Sequence, residues 1–562
     1  MQRRDFLRGS LLAIPVLPRA QYLSIAAPSL VAAPSQSTLQ PRLEVSVNGQ
    51  DEGIPLDHFW SRCVGAGRAN EGLRANWQEQ LKLCTDQCGF RYLRFHGLFH
   101  DDMFVYRELE GKPVYNWQYV DDLLDRMLAI NIRPFVELTF FPSDIAGDNQ
   151  TFAWWKGHGT PPKDFTRWSE IIGNFVRHCR ARYGEAEVRC WFFEIWNEPN
   201  LRGFWNGTQQ QFFEMYRVIA RTLKDIDPQL RIGGPATSSY HPDKAVYDRL
   251  KAKKDISAAD FVGVESKGPW IEDFLAFCEK ENLPLDFVSS HPYPTSYPID
   301  SAGNEIEISR PVTSTKEDIL WLRKAMARTR YAIADIHLTE WSSSPSIGDY
   351  THDYPQAATY IVKVNLDCIG LAQSLSYWTF TDVFEEAGGL ASIFCGEFGL
   401  VNFQGIVKPS FHAYRMLNNL GDRELHREEG CIVTAHSATG QVTALLYHYP
   451  PEVLAAAPIS RGSRTVAEQT LATGNKREVN LRISGLKPGA SFVSETLDAD
   501  HGFALRGWQA MGSPEPPTRE QTALLRAQAM ATTVELINAD GSGHLTLHRW
   551  LDPWSLVLLR QR

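Results

Sequence analysis

The 562-residue sequence lacks several features that would assign it to a special class of protein. No long block of lysines and arginines stands out along it, and its net charge at pH 7 is −9. We therefore expect no nucleic-acid partner. It also has no internal repeat and no strongly low-complexity segment. The sequence is 43% hydrophobic and 11% aromatic. This composition is typical of a globular protein with a large buried core.

The nine cysteines show no paired spacing of the kind that holds a metal ion, and their number is odd. We therefore expect no zinc site, no other metal and no cofactor. Most of these cysteines should be free and buried. Cys84 and Cys88 lie four residues apart on a predicted helix, which places both on one face that packs against the core.

The N-terminal segment lacks an apolar run long enough for a permanent membrane span, since its run extends only from Leu11 to Leu17. That run follows Arg3-Arg4-Asp5-Phe6-Leu7-Arg8 and precedes a stretch rich in Pro, Ala and Ser. This arrangement resembles a twin-arginine export signal. We expect residues 1–37 to be the signal and its linker, with cleavage near Ala27 or Ala33. The protein should be periplasmic or secreted, without stable membrane insertion.

From about Ser61 to Leu420, short β-branched or aromatic runs alternate with longer amphipathic segments. Eight such units predict an α/β fold, a (β/α)₈ barrel over residues 61–420. The predicted strands are 61–64, 91–95, 133–138, 188–193, 231–234, 287–290, 336–338 and 375–378. The predicted helices are 116–131, 165–183, 209–226, 315–330 and 354–372.

After Gly421 the helical periodicity fades, and strand-like runs alternate with Gly, Pro and Asn turns. We predict an accessory antiparallel β-sandwich over residues 421–562. A strand-like run, Arg42 to Val47, lies in the N-terminal segment 38–60 and should complete one of its sheets. Residues 455–468 and the proline-rich 513–518 are expected to be exposed loops.

Two predicted strands end near a glutamate in apolar surroundings. Glu198 follows the fourth strand in Trp196-Asn197-Glu198-Pro199, and Glu340 ends the seventh in Leu338-Thr339-Glu340-Trp341. The C-terminal ends of barrel strands gather at one mouth, so these carboxyl groups should face each other. Cleavage of a glycosidic bond needs such a pair, one group to protonate the leaving oxygen and one to attack the anomeric carbon. Each string alone also fits a helix start or a surface strand end.

Other polar or aromatic residues collect at the same strand ends, including His96, Glu137, His291 and Trp378. Together these motifs resemble glycoside hydrolase family 39, the (β/α)₈ glycosidases that include β-xylosidases and α-L-iduronidases. The resemblance covers the chain after the signal. Its anchors are Arg94-Phe95-His96-Gly97, Asp101-Asp102-Met103, Phe135-Val136-Glu137-Leu138, Trp196-Asn197-Glu198-Pro199, His291-Pro292-Tyr293, Thr339-Glu340-Trp341 and Tyr377-Trp378-Thr379.

The resemblance implies a retaining enzyme with Glu198 as general acid/base and Glu340 as nucleophile. Asn197 would hydrogen-bond the sugar 2-hydroxyl, although it also fits a helix cap. His291 and Tyr293 would contact the nucleophile and the sugar hydroxyls.

Four further residues complete the expected site. His96 would donate to the non-reducing sugar, Trp378 would be the stacking platform, and Glu385 would accept from the hydroxyls farthest from the scissile bond, with Glu386 as its exposed neighbour. Arg94 should hold Glu340 or Glu137 in place. We leave Glu137 out of the catalytic set.

The expected function is therefore exo-hydrolysis of β-D-xylosyl residues at the non-reducing ends of xylo-oligosaccharides. The catalytic pair does not identify the sugar, so α-L-arabinofuranosidase or α-L-iduronidase-like activity is the alternative. Iduronate would require a basic residue, and none adjoins the strand-end residues in sequence. A noncatalytic sugar-binding barrel would gain nothing from two facing carboxylates. The sequence leaves the oligomeric state open.

Replacing Arg3 and Arg4 together by lysine should retain the folded protein in the cytoplasm. The transporter reads the guanidinium pair, whereas the mature fold does not use it. Cell fractionation measures the outcome, and a normal periplasmic amount of the double variant would contradict this export route.

Overall fold

The computed structural model describes residues 42–238, 268–296, 308–389, 392–460 and 462–562. Residues Arg42–Arg562 cluster as one compact unit. The export signal expected at 1–37 lies outside the described residues. Among the helices of the described ranges, none has the length and apolarity needed to cross a bilayer.

Eight parallel strands close into a barrel, which confirms the predicted fold class. In chain order they are β1 (Cys63–Arg68), β2 (Tyr92–His96), β3 (Arg133–Glu137), β4 (Phe192–Glu194), β5 (Arg231–Thr237), β6 (Phe287–Ser290), β7 (Asp335–Trp341) and β8 (Ser374–Tyr377). Strand β8 closes the barrel by pairing with β1. Strand β4 starts later than predicted, because Glu185–Val188 forms a short helix before it.

Helices connect and cover these strands. Their bounds are Ala75–Cys88, Gln118–Ala129, Phe165–Tyr183, Glu185–Val188, Gln209–Ile226, Trp270–Lys280, Ser314–Met326, Pro355–Asp367 and Pro409–Asn418. Short 3₁₀ helices are Phe59–Ser61, Ala69–Leu73, Asp101–Met103, Tyr350–Asp353 and Pro451–Val453. Gln209–Ile226 shows why they form: Thr208 and Gln211 make a capping box, and Phe212, Ile219 and Leu223 bury one face.

The accessory β-sandwich is also confirmed. One sheet has seven strands, in the order Ile54–Pro55, Arg423–Glu428, Cys431–Ala435, Val442–Tyr447, Leu556–Gln561, Ser491–Leu497 and Thr533–Asn538. The other has three, in the order Leu43–Asn48, Arg477–Ser484 and Leu545–Leu551. A shared core cluster takes residues from both sheets. The N-terminal strand joins as expected, although its pairing with Arg477–Ser484 is parallel.

Small elements complete the chain. Two-stranded ribbons pair Tyr106–Leu109 with Lys112–Tyr115 and Thr295–Ser296 with Ile308–Ser309. Three helices decorate the sandwich: Arg464–Leu471, Leu505–Ala510 and Arg519–Met530. The loop prediction for 455–468 is wrong in its last part, because Ser463 caps the first of these helices and Ala467 is buried.

The nine cysteines all lie in the described ranges, and all are free. Seven are buried, while Cys190 and Cys395 are partly exposed. Both members of the Cys84 and Cys88 pair are buried on the helix Ala75–Cys88. The expectation of mostly free core cysteines is confirmed.

Alternation along the strands stacks two different layers inside the barrel. The lower layer is apolar, with Cys63, Phe135, Phe192 and Phe287 packed together. Two residues further along β3 and β4, the side chains of Glu137 and Glu194 point to the same interior, because a strand repeats every two residues. Arg94 on β2 and Thr339 on β7 reach the same level, as their hydrogen bonds show. The charged layer therefore lies directly on an aromatic floor.

Candidate active site

Arg94 is the fully buried centre of the barrel mouth. Its Nε donates to Glu194 Oε2 at 2.6 Å and its Nη1 to Glu340 Oε1 at 2.9 Å. Its Nη2 donates to Asn197 Oδ1 at 2.7 Å and lies 2.8 Å from Glu137 Oε2. Burial disfavours the charge, but the three carboxylates outweigh it and raise the pKa of Arg94. The guanidinium thus remains charged and fixes four side chains.

Glu340 is on β7, and its carboxyl group lies in the middle of this network. The residue is 5% exposed. Besides the bond from Arg94, its Oε2 accepts from Tyr293 Oη at 3.1 Å. His96 Nε2 lies 3.7 Å from its Oε1. Burial raises the pKa of Glu340, while the positive charges of Arg94 and His96 oppose that shift. One oxygen is therefore anchored by a guanidinium and the other by a phenol.

Glu198 lies across the mouth from Glu340 on the loop after β4, and it is 7% exposed. Its backbone has φ of 41°, and its N–H donates to the carbonyl of Ala236 at 2.9 Å. Its Oε1 lies 2.9 Å from His291 Nδ1. Burial, reinforced by the charge of Glu340, raises the pKa of Glu198 well above its usual range. This carboxyl group therefore stays protonated more readily than its partner.

The two carboxyl groups are close. One oxygen of Glu198, one of Glu340 and a ring nitrogen of His291 all lie within 4.8 Å of one another. Burial and the charges of Arg94 and His96 lower the pKa of His291 well below its usual value, so its ring is neutral. The atoms of this cluster are already engaged in hydrogen bonds with protein groups.

His96 lines a small cavity near Glu340, and Trp378 packs against the ring of His96. The His96 Nδ1 lies 2.7 Å from Glu137 Oε2, and although burial opposes it, this carboxylate raises the pKa of His96. The rings of His96 and Trp378 are 4.8 Å apart. The Trp378 ring also packs edge-on against Phe384 at 6.0 Å. The cavity is lined by Gly67, Arg68, Glu71, His96, Trp155, Phe384 and Glu386.

Of the two adjacent glutamates, Glu386 lines the cavity and Glu385 is held by arginines. Arg74 and Arg68 both donate to the carboxylate of Glu385, the latter at 3.0 Å. Burial raises the pKa of Glu385, but these bonds outweigh it and lower the value. Burial, with the charge of Glu340, raises the pKa of Glu386 to about 7. Glu386 therefore lies in the cavity lining, where Glu385 was expected, and it is not the exposed neighbour that the sequence predicted.

Sequence reasoning missed three residues of this site. Arg68 ends β1 in register with His96, so a basic residue that is distant in sequence lies beside these strand ends in the fold. Glu194 accepts from Thr339 Oγ1 at 2.8 Å as well as from Arg94. The signal for Glu194 and Thr339 was their position two residues beyond inward-facing Phe192 and His337, since strand side chains alternate.

Comparisons with known proteins agree with this architecture. The model of the glycosyl hydrolases family 39 matches residues 43–264 and 251–542. A β-xylosidase of Geobacillus stearothermophilus is 35% identical over 515 residues, which cover 90% of this chain and 92% of the relative. Human α-L-iduronidase is 25% identical over 581 residues, covering 97% of this chain and 82% of the relative. A GH39 enzyme from Xanthomonas axonopodis pv. citri superposes with a TM-score of 0.80 at 31% identity, covering 93% and 97% of the chains.

Replacing Arg94 by methionine should destabilise the protein by about 3–5 kcal/mol at pH 7, because it leaves buried carboxylates without their cation. Without Arg94, the folded-state pKa values of Glu137, Glu194 and Glu340 lie above those of the unfolded chain. The folded state then binds more protons, so the loss should shrink as the pH falls toward 5. Urea unfolding at the two pH values measures this.

The matched control is Arg133→Met on β3, since Arg133 pairs bidentately with Glu187 but is 43% exposed. Its loss should be no more than about 1 kcal/mol. An Arg94→Met loss equal to the control's, or one that grows as the pH falls, would contradict the proposed role of Arg94.

Proposed function

The chain belongs to glycosyl hydrolase family 39, and from this premise we propose that it is a retaining, exo-acting β-D-xylosidase. It would release xylose from the non-reducing ends of xylo-oligosaccharides. That it hydrolyses glycosidic bonds follows from its family. The retaining mechanism and the xylosyl specificity rest on the geometry of the site.

The observation that carries the mechanism is the short separation of the two carboxyl groups. An oxygen of Glu198 and one of Glu340 lie within 4.8 Å of each other. Retaining enzymes hold their carboxyl groups about 5–5.5 Å apart, whereas inverting enzymes need about 6.5–9.5 Å to admit a water molecule. The separation leaves room for a sugar carbon bonded to Glu340 and supports retention.

The pKa of Glu198 fits a reaction in two steps, formation of a glycosyl ester and its hydrolysis. Glu198, with its raised pKa, would give its proton to the glycosidic oxygen while Glu340 attacks the anomeric carbon. The C–O bond breaks with its electrons on the departing oxygen, and a glycosyl ester forms on Glu340. The ester carries no charge, so the pKa of Glu198 falls and its carboxylate can take a proton from water. The water oxygen then displaces Glu340 and restores the enzyme.

Asn197 is placed to bind the hydroxyl next to the reacting carbon. Arg94 holds its amide through Oδ1, while its Nδ2 is buried and has no hydrogen-bond partner among the described residues. A buried donor without a partner is costly unless a ligand accepts from it. The sugar 2-hydroxyl is such an acceptor, and this contact strengthens as charge develops on the ring.

The cavity beside Glu340 supports action at a chain end. Arg68 lines the cavity with Glu386 and bonds to Asp102 and Glu385, and Arg74 also bonds to Glu385. A sugar chain that ended against these residues would present one terminal sugar to the carboxyl pair. Phe384 and Trp155 line the same cavity, and Trp378 packs against Phe384.

The charges around the cavity favour a neutral sugar over a uronic acid. Arg68 is the arginine that lines the cavity and could bind a sugar carboxylate. Its guanidinium, however, is already surrounded by Asp102, Glu385 and Glu71. Glu386, with a pKa of about 7, would repel such a group. The greater identity to a β-xylosidase than to an α-L-iduronidase supports the same choice.

We also propose that the enzyme works outside the cytoplasm. The support is the string Arg3-Arg4-Asp5-Phe6-Leu7, which resembles a twin-arginine signal. In that compartment the enzyme would encounter xylo-oligosaccharides released from plant polymers.

Alanine variants of the two glutamates should fail in different ways. Glu340→Ala should lose turnover of every substrate by several orders of magnitude, because no other group can form the ester. Glu198→Ala should slow substrates with poor leaving groups far more than activated aryl glycosides, because only the former need a proton. Steady-state kinetics on a series of aryl glycosides of graded leaving-group pKa measure the contrast.

Azide supplies the control for these assignments. It should rescue Glu198→Ala with a product of retained configuration and Glu340→Ala with a product of inverted configuration. Equal losses on good and poor leaving groups in Glu198→Ala, or the opposite stereochemistry, would overturn the roles.

The purified enzyme should show a higher kcat/KM on an aryl β-D-xyloside than on the α-L-arabinofuranoside, and far higher than on the β-D-glucoside. Xylopyranose lacks the exocyclic CH₂OH of glucose, so a site closed around C5 would admit xylose and exclude glucose by steric clash. Glu386→Gln should lower the xyloside value by about 10-fold or more, because a lost hydrogen bond to a carboxylate costs about 1.5–3 kcal/mol.

Glu385→Gln is the matched variant, one residue away and outside the cavity lining. Its effect on the xyloside should be the smaller of the two. An arabinofuranoside or iduronide preference would move the enzyme to those activities, and a larger loss in Glu385→Gln would restore Glu385 as the sugar acceptor.

A further inference from the structure

A chain of hydrogen bonds leads from Arg94 to Glu198 through Glu194, Thr339 and His291. It begins at Glu194, whose Oε2 accepts from Arg94 Nε at 2.6 Å. Burial raises the pKa of Glu194, but the guanidinium opposes that shift and stabilises the ionised form. An ionised carboxylate only accepts hydrogen bonds.

Thr339 is the second member of the chain. Its Oγ1 donates to Glu194 Oε1 at 2.8 Å. A hydroxyl has one proton, so Thr339 Oγ1 has none left for its other neighbour, His291 Nε2, at 3.1 Å. Toward His291 the threonine oxygen must be an acceptor. The proton of the imidazole therefore lies on Nε2.

The position of the proton on His291 determines which partner supplies the hydrogen in its bond to Glu198. The ring is neutral, so a proton on Nε2 leaves Nδ1 with a bare lone pair. Nδ1 lies 2.9 Å from Glu198 Oε1. Two bare lone pairs at this distance would repel, so the contact is favourable when Glu198 supplies the proton. The direction of every bond in the chain follows from Glu194, whose two oxygens accept hydrogen bonds from Arg94 and Thr339.

We propose that Glu194 and Thr339 are positioning residues that fix the tautomer of His291 and thereby hold Glu198 as a carboxylic acid before substrate is cleaved. This inference rests on the proposed role of Glu198 as acid/base. It adds two residues whose effect passes through His291.

Other charged and titratable groups also face Glu198 from the surrounding strands and loops. They are Arg94 and His96 on β2, Glu137 on β3, Glu194 on β4, His291 and Tyr293 after β6, Glu340 on β7 and Glu386 after β8. Removing the Thr339 hydroxyl leaves all of these side chains in place, and of them only Glu194 and His291 lose a hydrogen bond. The threonine therefore separates the tautomer effect from the general field of the site.

The chain orients the proton and does not conduct it. When Glu198 gives its proton to the glycosidic oxygen, His291 keeps its proton on Nε2. The new Glu198 carboxylate then faces the bare Nδ1, which makes it a stronger base. That basicity serves the second step, in which Glu198 removes a proton from water.

Thr339→Val tests the proposal because it keeps the shape of the side chain and removes the hydroxyl. His291 can then carry its proton on Nδ1 and donate to the Glu198 carboxylate, which stabilises the ionised form. The basic limb of the kcat/KM profile, which reports the acid in the free enzyme, should move down by about one pH unit or more. Thr339→Ser keeps the hydroxyl and should restore the wild-type limb.

A basic limb that stays in place or moves upward in Thr339→Val would overturn the proposal, even if the rate falls. So would a Thr339→Ser profile equal to that of Thr339→Val. The profile is measured on whichever aryl glycoside the wild-type enzyme cleaves, so a wrong choice of sugar does not affect the test.

Neutron crystallography of the wild-type enzyme gives a second measurement that needs neither a variant nor a substrate. The expected deuterium positions are His291 Nε2, Thr339 Oγ1 directed at Glu194, and Glu198 Oε1. Deuterium on His291 Nδ1 would overturn the proposal and leave the glycosidase function untouched.

Discussion

The burial of one guanidinium among carboxylates is the interaction on which the site depends. Arg94 touches Glu137 on β3, Glu194 on β4, Asn197 just after β4 and Glu340 on β7, so it joins side chains from three strands of the barrel. Charges so far from water are tolerated only when they are paired and hydrogen-bonded. The planar fork of arginine can meet several oxygens at once, which a lysine ammonium cannot do with the same geometry. Removing it would disturb the fold and the nucleophile together.

The alternation of strand side chains explains why this charged layer can exist. Below it, Phe135, Phe192 and Phe287 fill the barrel and exclude water from beneath Arg94. Above it, His96, Glu198 and Glu340 meet the cavity. The apolar floor strengthens each electrostatic interaction of the charged layer, because the local dielectric is low. Glu340 is thus held from below by Arg94 and by the aromatic floor on which Arg94 lies.

The strands, most helix bounds and the two principal glutamates could be predicted from sequence, because each depends on local periodicity or on a short motif at a strand end. The direction in which loop side chains point could not be predicted from sequence. Glu385 and Glu386 are chemically identical neighbours, and only the positions of Arg68 and Arg74 decide which one is held away from the cavity. Arg68 itself was missed because β1 extends further than its apolar run. The helix Arg464–Leu471 was hidden by the loop-like residues before its cap.

Charge conservation links the buried network to the reaction. In the buried network the basic side chains of Arg94 and His96 face three carboxyl groups, those of Glu137, Glu194 and Glu340. A further anion at Glu198 would be repelled there, and burial with the charge of Glu340 raises the pKa of Glu198 well above its usual range. In the proposed reaction Glu340 becomes an ester, one negative charge disappears and Glu198 can ionise in its place. The carboxyl pair would then carry the same net charge before and after the first step. The charged and polar groups of a buried site are already oriented. Unlike water, they need not reorganise as the charge moves, and this lowers the activation barrier of the reaction.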